Sequence, residues 1–120
     1  MRTLVIDTAT RACSAALFED GTLADARHEV IGRGHAEILL PMIADFPERG
    51  RADRIAVNVG PGSFTGIRVG IAAARALALA WDAQIAGYDC MSMVAALADT
   101  TTDVDVAMMG GHGEFFFQRF

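Results

Sequence analysis

A glycine-rich stretch in the middle of the chain contains residue types that bind phosphate in many proteins. Residues 60–70 read Gly-Pro-Gly-Ser-Phe-Thr-Gly-Ile-Arg-Val-Gly. They follow an apolar, β-branched segment at 55–59 and open an alanine-rich segment typical of a helix. A strand, a glycine turn and a helix in that order indicate one of two things: an anion site at the helix N-terminus, or a tight turn that only glycine can make.

The spacing within this stretch fits neither common nucleotide-binding motif. A P-loop needs Lys and then Ser or Thr after its last glycine, whereas Ile67 and Arg68 follow Gly66. The dinucleotide pattern G-x-G-x-x-G is exceeded by one residue before its last glycine. We therefore interpret the stretch first as a turn and close-packing helix start. A phosphate site made of bare backbone N–H groups is the second interpretation.

Asp7 ends the first apolar segment, and hydroxyl side chains surround the turn that follows it. The residues that could remain from a phosphate site are Asp7, Thr8, Ser14, Gly60 and Gly62. An Asp in such a turn also forms local hydrogen bonds with the backbone, so a structural interpretation competes with the functional one. No serine lies in a G-x-S-x-G elbow and no nucleophile is paired with a base, so the sequence predicts no catalytic residue.

The remaining reactive side chains give weaker signals. His35 lacks convergent partners in sequence, so we predict a surface or interface histidine, and His112 in a glycine turn is weaker still as a site. Cys13 and Cys90 have no metal-ligand spacing and are predicted to be buried, reduced thiols. The sequence therefore predicts neither a metal site nor a bound cofactor.

Composition narrows the class of protein. The 120 residues suffice for one domain, and the net charge of −5 comes with ten scattered arginines and no lysine. Direct nucleic-acid binding needs a stripe of basic residues, which this sequence lacks. Any role in RNA modification is therefore expected to depend on another protein that binds the RNA. Charged residues interrupt every long apolar run, and Asp7 falls where a signal peptide would stay apolar. We expect a cytoplasmic protein that does not enter the membrane.

The periodicity predicts an α/β fold with a mixed sheet. Strands are predicted at 2–8, 13–19 and 22–29 as an antiparallel three-strand meander, with a hairpin turn at Asp20-Gly21. Helices at 35–46 and 63–81, strands at 55–59 and 84–88, and a short helix at 90–98 follow as βαβα crossovers. A linker at 100–103 leads to two strands, 104–108 and 114–120, around a glycine turn at 110–113.

The helix predicted at 63–81 is apolar nearly all round. Its polar positions, Arg68, Arg75 and Asp82, are seven residues apart and fall on one line. Such a helix is expected to be covered on two sides, by the sheet and by a neighbouring helix or a second subunit. Gly66 and Gly70, four residues apart, would let another backbone approach closely.

Three sequence motifs resemble the TsaB (YeaZ) family over nearly the whole chain. They are residues 6–17 (IDTATRACSAAL), residues 34–41 (GHAEILLP) and residues 60–70 (GPGSFTGIRVG). The resemblance implies an actin-like, sugar-kinase-like (ribonuclease H-like) fold. It also implies a role in tRNA threonylcarbamoyladenosine modification as the non-catalytic scaffold and dimerisation partner of the TsaD enzyme, with the TsaE ATPase as a third component. A small ATP-binding phosphotransferase of the same fold class is the alternative.

The resemblance further implies a docking surface and a domain division. The helices at 35–46 and 63–81 would form the family's dimerisation surface. The residues assigned to it are His35, Ile38, Leu39, Met42, Phe46, Val69, Ala72, Ala73 and Ala76. Residues 1–100 would be the actin-like N-terminal domain, and residues 101–120 the first hairpin of a second lobe. The catalytic relative has a metal-binding histidine pair after the fifth strand, where this chain has Asp89-Cys90-Met91-Ser92-Met93.

Overall fold

The computed structural model describes residues 1–98, 103, 105–109 and 115–120. Seven strands are β1 (Arg2–Asp7), β2 (Ala12–Glu19), β3 (Thr22–Val30), β4 (Arg54–Asn58), β5 (Gln84–Tyr88), β6 (Asp105–Met109) and β7 (Phe115–Arg119). Three α-helices lie within these residues, α1 (His35–Ala44), α2 (Phe64–Trp81) and α3 (Cys90–Ala96), and Pro47–Gly50 form a short 3₁₀ helix. Most of the predicted linker and the predicted glycine turn, with His112, lie outside the described residues.

The first five strands form a mixed sheet in the order β3-β2-β1-β4-β5. β2 is antiparallel to both β1 and β3, whereas β4 is parallel to both β1 and β5. Parallel neighbours require crossover connections, and α1 and α2 lie in them. β6 and β7 form a separate antiparallel pair. The predicted α/β class with a mixed sheet is confirmed.

The hairpin between β2 and β3 has an irregular register. Asp20 and Gly21 both adopt positive φ, 50° and 81°, as a tight two-residue turn requires. Next to the turn, Glu19 pairs with Thr22. A β-bulge between Leu17 and Phe18 then shifts the pairing by one residue for the rest of the hairpin.

Alternate residues of the strands point into one core on one face of the sheet. Both α1 and α2 pack on this face. Its buried apolar residues from the strands are Leu4, Ile6, Cys13, Ala15, Leu17, Ile55 and Val57. The side chains between them point to the opposite face, as the period of two in a strand dictates.

Helix α1 ends two residues earlier than predicted, at Ala44 rather than Phe46. The N–H groups of Asp45 and Phe46 donate to the carbonyls of Met42 and Ile43, three residues back. These tighter bonds close the last turn, and Pro47 follows at once. The helix continues through Pro41.

Helix α2 lies on the sheet through a row of very small residues. Its buried positions are Gly66, Gly70, Ala74 and Ala78, four apart along one face. A Cβ atom on Gly66 would overlap the carbonyl oxygen of Thr8, and one on Gly70 would lie 2.5 Å from Thr8 Oγ1. The predicted close packing at the two glycines is therefore present, and its partner is the end of β1.

We predict that Gly70→Ala destabilises the chain, although alanine is the better helix former by about 1 kcal/mol. The added methyl group would meet Thr8 Oγ1 and would also lie 3.3 Å from Val57 Cγ2. Such overpacking costs roughly 1–3 kcal/mol. Urea unfolding followed by circular dichroism measures the free energy of unfolding. A Gly70→Ala variant at least as stable as the parent would contradict the packing argument.

Candidate functional site

The outward face of α2 exposes apolar side chains together with two arginines. Only 22% of the residues of α2 are buried within the chain. Ala72 and Ala76 are exposed, Leu79 is 87% exposed, and Val69 and Ala73 are half-buried. We call the exposed line Phe64, Arg68, Ala72, Arg75, Ala76 and Leu79 the α2 stripe. The neighbouring helix α1 contacts α2, as predicted, and the side of α2 away from the sheet and α1 is exposed.

The length and composition of α2 also satisfy the simple criteria for a membrane span. Its 18 residues have a mean hydropathy of 1.3. Core helices of soluble proteins pass the same test, and α2 packs on β4, β1 and β5 of this chain. The apolar character of the helix is thus accounted for on its inner face by the sheet.

The α2 stripe begins with a stacked pair of side chains. The guanidinium carbon of Arg68 lies 3.9 Å from the centre of the Phe64 ring, and Phe64 is 70% exposed. Cation–π stacking of this kind holds two large side chains in one place. Phe64 was not among the site residues predicted from the sequence. The i, i+4 spacing of an aromatic and an arginine at a helix start could have indicated the pair.

Three of the residues assigned to the docking surface lie in the core of the chain instead. Leu39, Met42 and Phe46 are 1%, 6% and 3% exposed. The Phe46 ring is also covered by Arg27, whose guanidinium carbon lies 5.5 Å from the ring centre. Ile38 is half-buried. These side chains attach α1 to the sheet, and their apolar spacing indicated the inner face of the helix rather than its outer face.

His35 is likewise a structural residue and not a surface histidine. It is 7% exposed, and its Nε2 lies 2.8 Å from the Thr10 carbonyl and 3.2 Å from the Ala12 carbonyl. Because both partners are acceptors, Nε2 is the protonated nitrogen and donates to them. His35 therefore ties the start of α1 to the turn before β2. It lines a groove of about 440 Å³ that also contains Glu37 and Thr65.

The glycine loop uses several of its backbone donors within the chain. Gly60 N–H donates to Asn58 Oδ1 at 2.8 Å, and Ser63 N–H donates to the Ala9 carbonyl at 2.7 Å. Ser63 caps α2, because its Oγ accepts from Gly66 N–H at 3.2 Å. A phosphate-binding loop presents such N–H groups to the ligand. The geometry favours the interpretation as a close-packed turn.

Asp7 and Thr8, at the end of β1, have different surroundings. Asp7 is half-buried, and its Oδ1 accepts from Ala9 N–H at 3.0 Å, which is the local turn bond that competes with a functional role. Thr8 is 1% exposed, and its hydroxyl donates to the Gly66 carbonyl at 2.5 Å. Thr8 thus fastens β1 to α2. Of the five phosphate-site candidates, only Asp7 and Ser14 are cross-strand neighbours on the second sheet face.

Ser14 has a partner on the neighbouring strand that was not predicted from the sequence. Its Oγ lies 2.6 Å from Nδ1 of His28, on the neighbouring strand β3. Counting back from the Asp20-Gly21 turn without a bulge would place Ser14 opposite Arg27. The bulge shifts the register by one and brings His28 into that position. The sequence indicated no partner for Ser14, whereas the structure places an imidazole nitrogen within hydrogen-bond distance of its hydroxyl.

Asn58 and Cys90 lie where the ends of β4 and β5 meet the glycine loop. Asn58 is 1% exposed, and its Nδ2 has no hydrogen-bond partner among the described residues. Burial raises the pKa of the Cys90 thiol, and burial also raises that of Cys13. Both cysteines are free and buried, as predicted. Within the described part of the chain, no three His, Cys, Asp or Glu side chains converge as metal ligands would.

The fold and sequence match known proteins involved in one tRNA modification. The sequence model of the family TsaD, tRNA N6-adenosine threonylcarbamoyltransferase, matches residues 27–120. The TsaB protein of tRNA threonylcarbamoyladenosine biosynthesis from Escherichia coli is 41% identical over 79% of this chain and 43% of its own length. The chain thus spans less than half of that relative.

Solved structures agree with these matches. The structure of YeaZ from Pseudomonas aeruginosa superimposes with a TM-score of 0.87 at 31% identity, over 99% of this chain and 59% of the other. RuvC from Thermus thermophilus, at 17% identity and a TM-score of 0.52, covers 82% of this chain and 69% of its own, and shows the fold alone.

The chain belongs to the threonylcarbamoyltransferase family that the sequence model defines. Within that family its similarity is to TsaB (YeaZ) proteins, so the resemblance predicted from the three motifs is confirmed.

We predict that neither cysteine reacts with a thiol reagent in the folded chain at neutral pH. Their raised pKa values keep the thiols protonated there, and burial blocks access. Reaction with Ellman's reagent should be at least about tenfold slower than in guanidinium chloride, where both thiols are exposed. Rapid modification of either cysteine without denaturant would contradict the burial described.

Proposed function

We propose that the chain is a non-catalytic scaffold in tRNA threonylcarbamoyladenosine modification, docking on a TsaD-type enzyme and forming a homodimer when alone. The α2 stripe is the observation that carries the proposal. The pathway is inferred from what the relatives are named for, and a protein partner is inferred from the exposed residues of the stripe. A TsaE-type ATPase is the third component that the TsaB resemblance implies.

The chemistry of the α2 stripe suits a helix from a partner protein. Ala72 and Ala76 are small enough for a second helix to approach closely, and Leu79 offers an exposed apolar side chain. Phe64 with Arg68 resembles the aromatic and arginine anchors that contribute most of the binding energy at many interfaces. The stripe would therefore lose exposed apolar area on association, which favours binding.

The charge distribution supports an indirect role toward tRNA. The net charge of −5 and the scattered arginines disfavour phosphate binding by this chain itself. In this role the tRNA binds the enzyme, and this chain needs no cofactor, metal or membrane contact. This function implies that the protein is soluble and lies in the cytoplasm.

We expect Ala76→Glu to weaken association with the TsaD-type partner by at least about tenfold, or roughly 1.4 kcal/mol. The exposed alanine lies in the middle of the α2 stripe, and a carboxylate there would be desolvated on docking without a matched partner. Light scattering on mixtures separated by size gives the mass of the complex, and titration calorimetry gives its dissociation constant.

Ala24→Glu is the matched control, because Ala24 is exposed on β3 at the far edge of the sheet. It should leave both the complex and the homodimer intact. If Ala76→Glu binds as well as Ala24→Glu, the α2 stripe is not the docking surface. If the unmodified chain forms no complex, the scaffold proposal itself fails.

Calorimetry with Mg-ATP separates the scaffold from the alternative, a small ATP-binding phosphotransferase. We expect no measurable binding, because the glycine loop uses backbone donors of Gly60 and Ser63 internally and Asp7 accepts a local turn bond. The control is Asp7→Asn, which keeps the shape of the side chain and removes its charge. Tight Mg-ATP binding abolished by that change would favour the phosphotransferase.

A further inference from the structure

Ser14 and His28 form a side-chain pair on the face of the sheet opposite α1 and α2. Cys13 and Ala15, on either side of Ser14 in β2, point into the core, so Ser14 points to the other face. The Ser14 side chain is half-buried and His28 is exposed. The pair is therefore open to a small molecule from solvent.

The geometry of this pair is that of a nucleophile and its base. The 2.6 Å separation between Ser14 Oγ and His28 Nδ1 is that of a hydrogen bond. In the tautomer with its proton on Nε2, Nδ1 accepts the hydroxyl proton of Ser14. A hydroxyl within hydrogen-bond reach of an imidazole is the arrangement that activates serine for attack on a carbonyl carbon.

A third group defines the charge around the pair. Asp7 on β1 is the cross-strand partner of Ser14 on the side away from His28. Its carboxylate is on the residue directly opposite Ser14, on the same face of the sheet. The same negative charge opposes the approach of an anionic acyl donor. The charge arrangement thus selects uncharged donors.

We propose that Ser14 is an activated nucleophile with His28 as its general base, and that it takes acyl groups from uncharged, activated esters. This reactivity is separate from the scaffold function and uses the other face of the sheet. The Ser14 Oγ forms a bond to the ester carbonyl carbon while its proton passes to His28 Nδ1. The bond between that carbon and the alkoxy oxygen then breaks. The departing oxygen takes the proton from His28, leaving acyl-Ser14 and a free alcohol.

The full chain treated with p-nitrophenyl acetate tests the proposal, with release of nitrophenol followed by absorbance and the adduct located by peptide mass spectrometry. We expect one acetyl group on Ser14 and none there in Ser14→Ala. His28→Gln should slow the acylation at least about tenfold, since glutamine can bond the hydroxyl but cannot take its proton. Circular dichroism verifies that each variant is folded.

Ser92→Ala is the matched control, because Ser92 is an exposed serine on α3. It should be acylated at Ser14 at the parental rate. Acetyl phosphate, an anionic donor, should acylate Ser14 more slowly than the ester relative to the reactivity of each toward free serine. Equal rates in the parent and His28→Gln, or no more acetyl on Ser14 than on Ser92, would overturn the proposal. Preferential acylation by acetyl phosphate would overturn the assignment to uncharged esters.

Discussion

The close approach of α2 to the end of β1 is the constraint on which the rest of the structure depends. Gly66 lies against the Thr8 carbonyl, and Gly70 lies against the Thr8 hydroxyl, so that no side chain fits between helix and strand. The Thr8 hydroxyl then bonds the Gly66 carbonyl, which fixes the helix along its axis. A helix held this closely has its rotation about its own axis fixed as well, because only one of its faces carries the glycines that this approach needs.

That fixed rotation decides which residues remain available outside. With Gly66, Gly70, Ala74 and Ala78 against the sheet, the residues half a turn away must face outward. These include Ala72, Ala76 and Leu79, whose side chains form no hydrogen bonds with water. Exposed apolar residues on a helix whose inner face is already covered favour association with a partner. The proposed docking role thus follows from how the helix packs, and the glycine loop serves to start that helix in the right place.

The helices and strands could be predicted from the sequence more reliably than the register in which neighbouring strands pair. The hairpin at Asp20-Gly21 and the strand Arg54–Asn58 were predictable because turn chemistry and β-branched residues are local signals. The bulge between Leu17 and Phe18 has no comparable local signal, so the pairing of Ser14 with His28 could not be derived. A bulge is settled by how the two strands pack, and packing depends on the whole sheet.

The docking residues show a second limit of prediction from sequence, which is that a buried helix face cannot be distinguished from a partner-binding face. A helix with an apolar pattern tells which positions share a face, but the pattern does not say whether a core or a partner covers that face. Leu39, Met42 and Phe46 share the inner face of α1 and its end, whereas Ala72 and Ala76 share the outer face of α2. Both sets look alike in sequence because large and small apolar residues satisfy the same periodicity. Side-chain size was the available clue, since the residues of α2 nearest the sheet are all glycine or alanine.

The proposed docking surface and the proposed reactive pair can coexist because they lie on opposite faces of the sheet. Ser14 and His28 lie on one face, and α2 covers the other, with the buried layer of Leu4, Ile6 and Leu17 between them. Backbone hydrogen bonds within the hairpin hold the two reacting side chains, so their alignment does not depend on what binds α2. A partner docked on the α2 stripe would leave the Ser14 face accessible. A substitution on one face should therefore change docking or Ser14 acylation but not both, because substitutions at distant sites without shared partners act nearly independently.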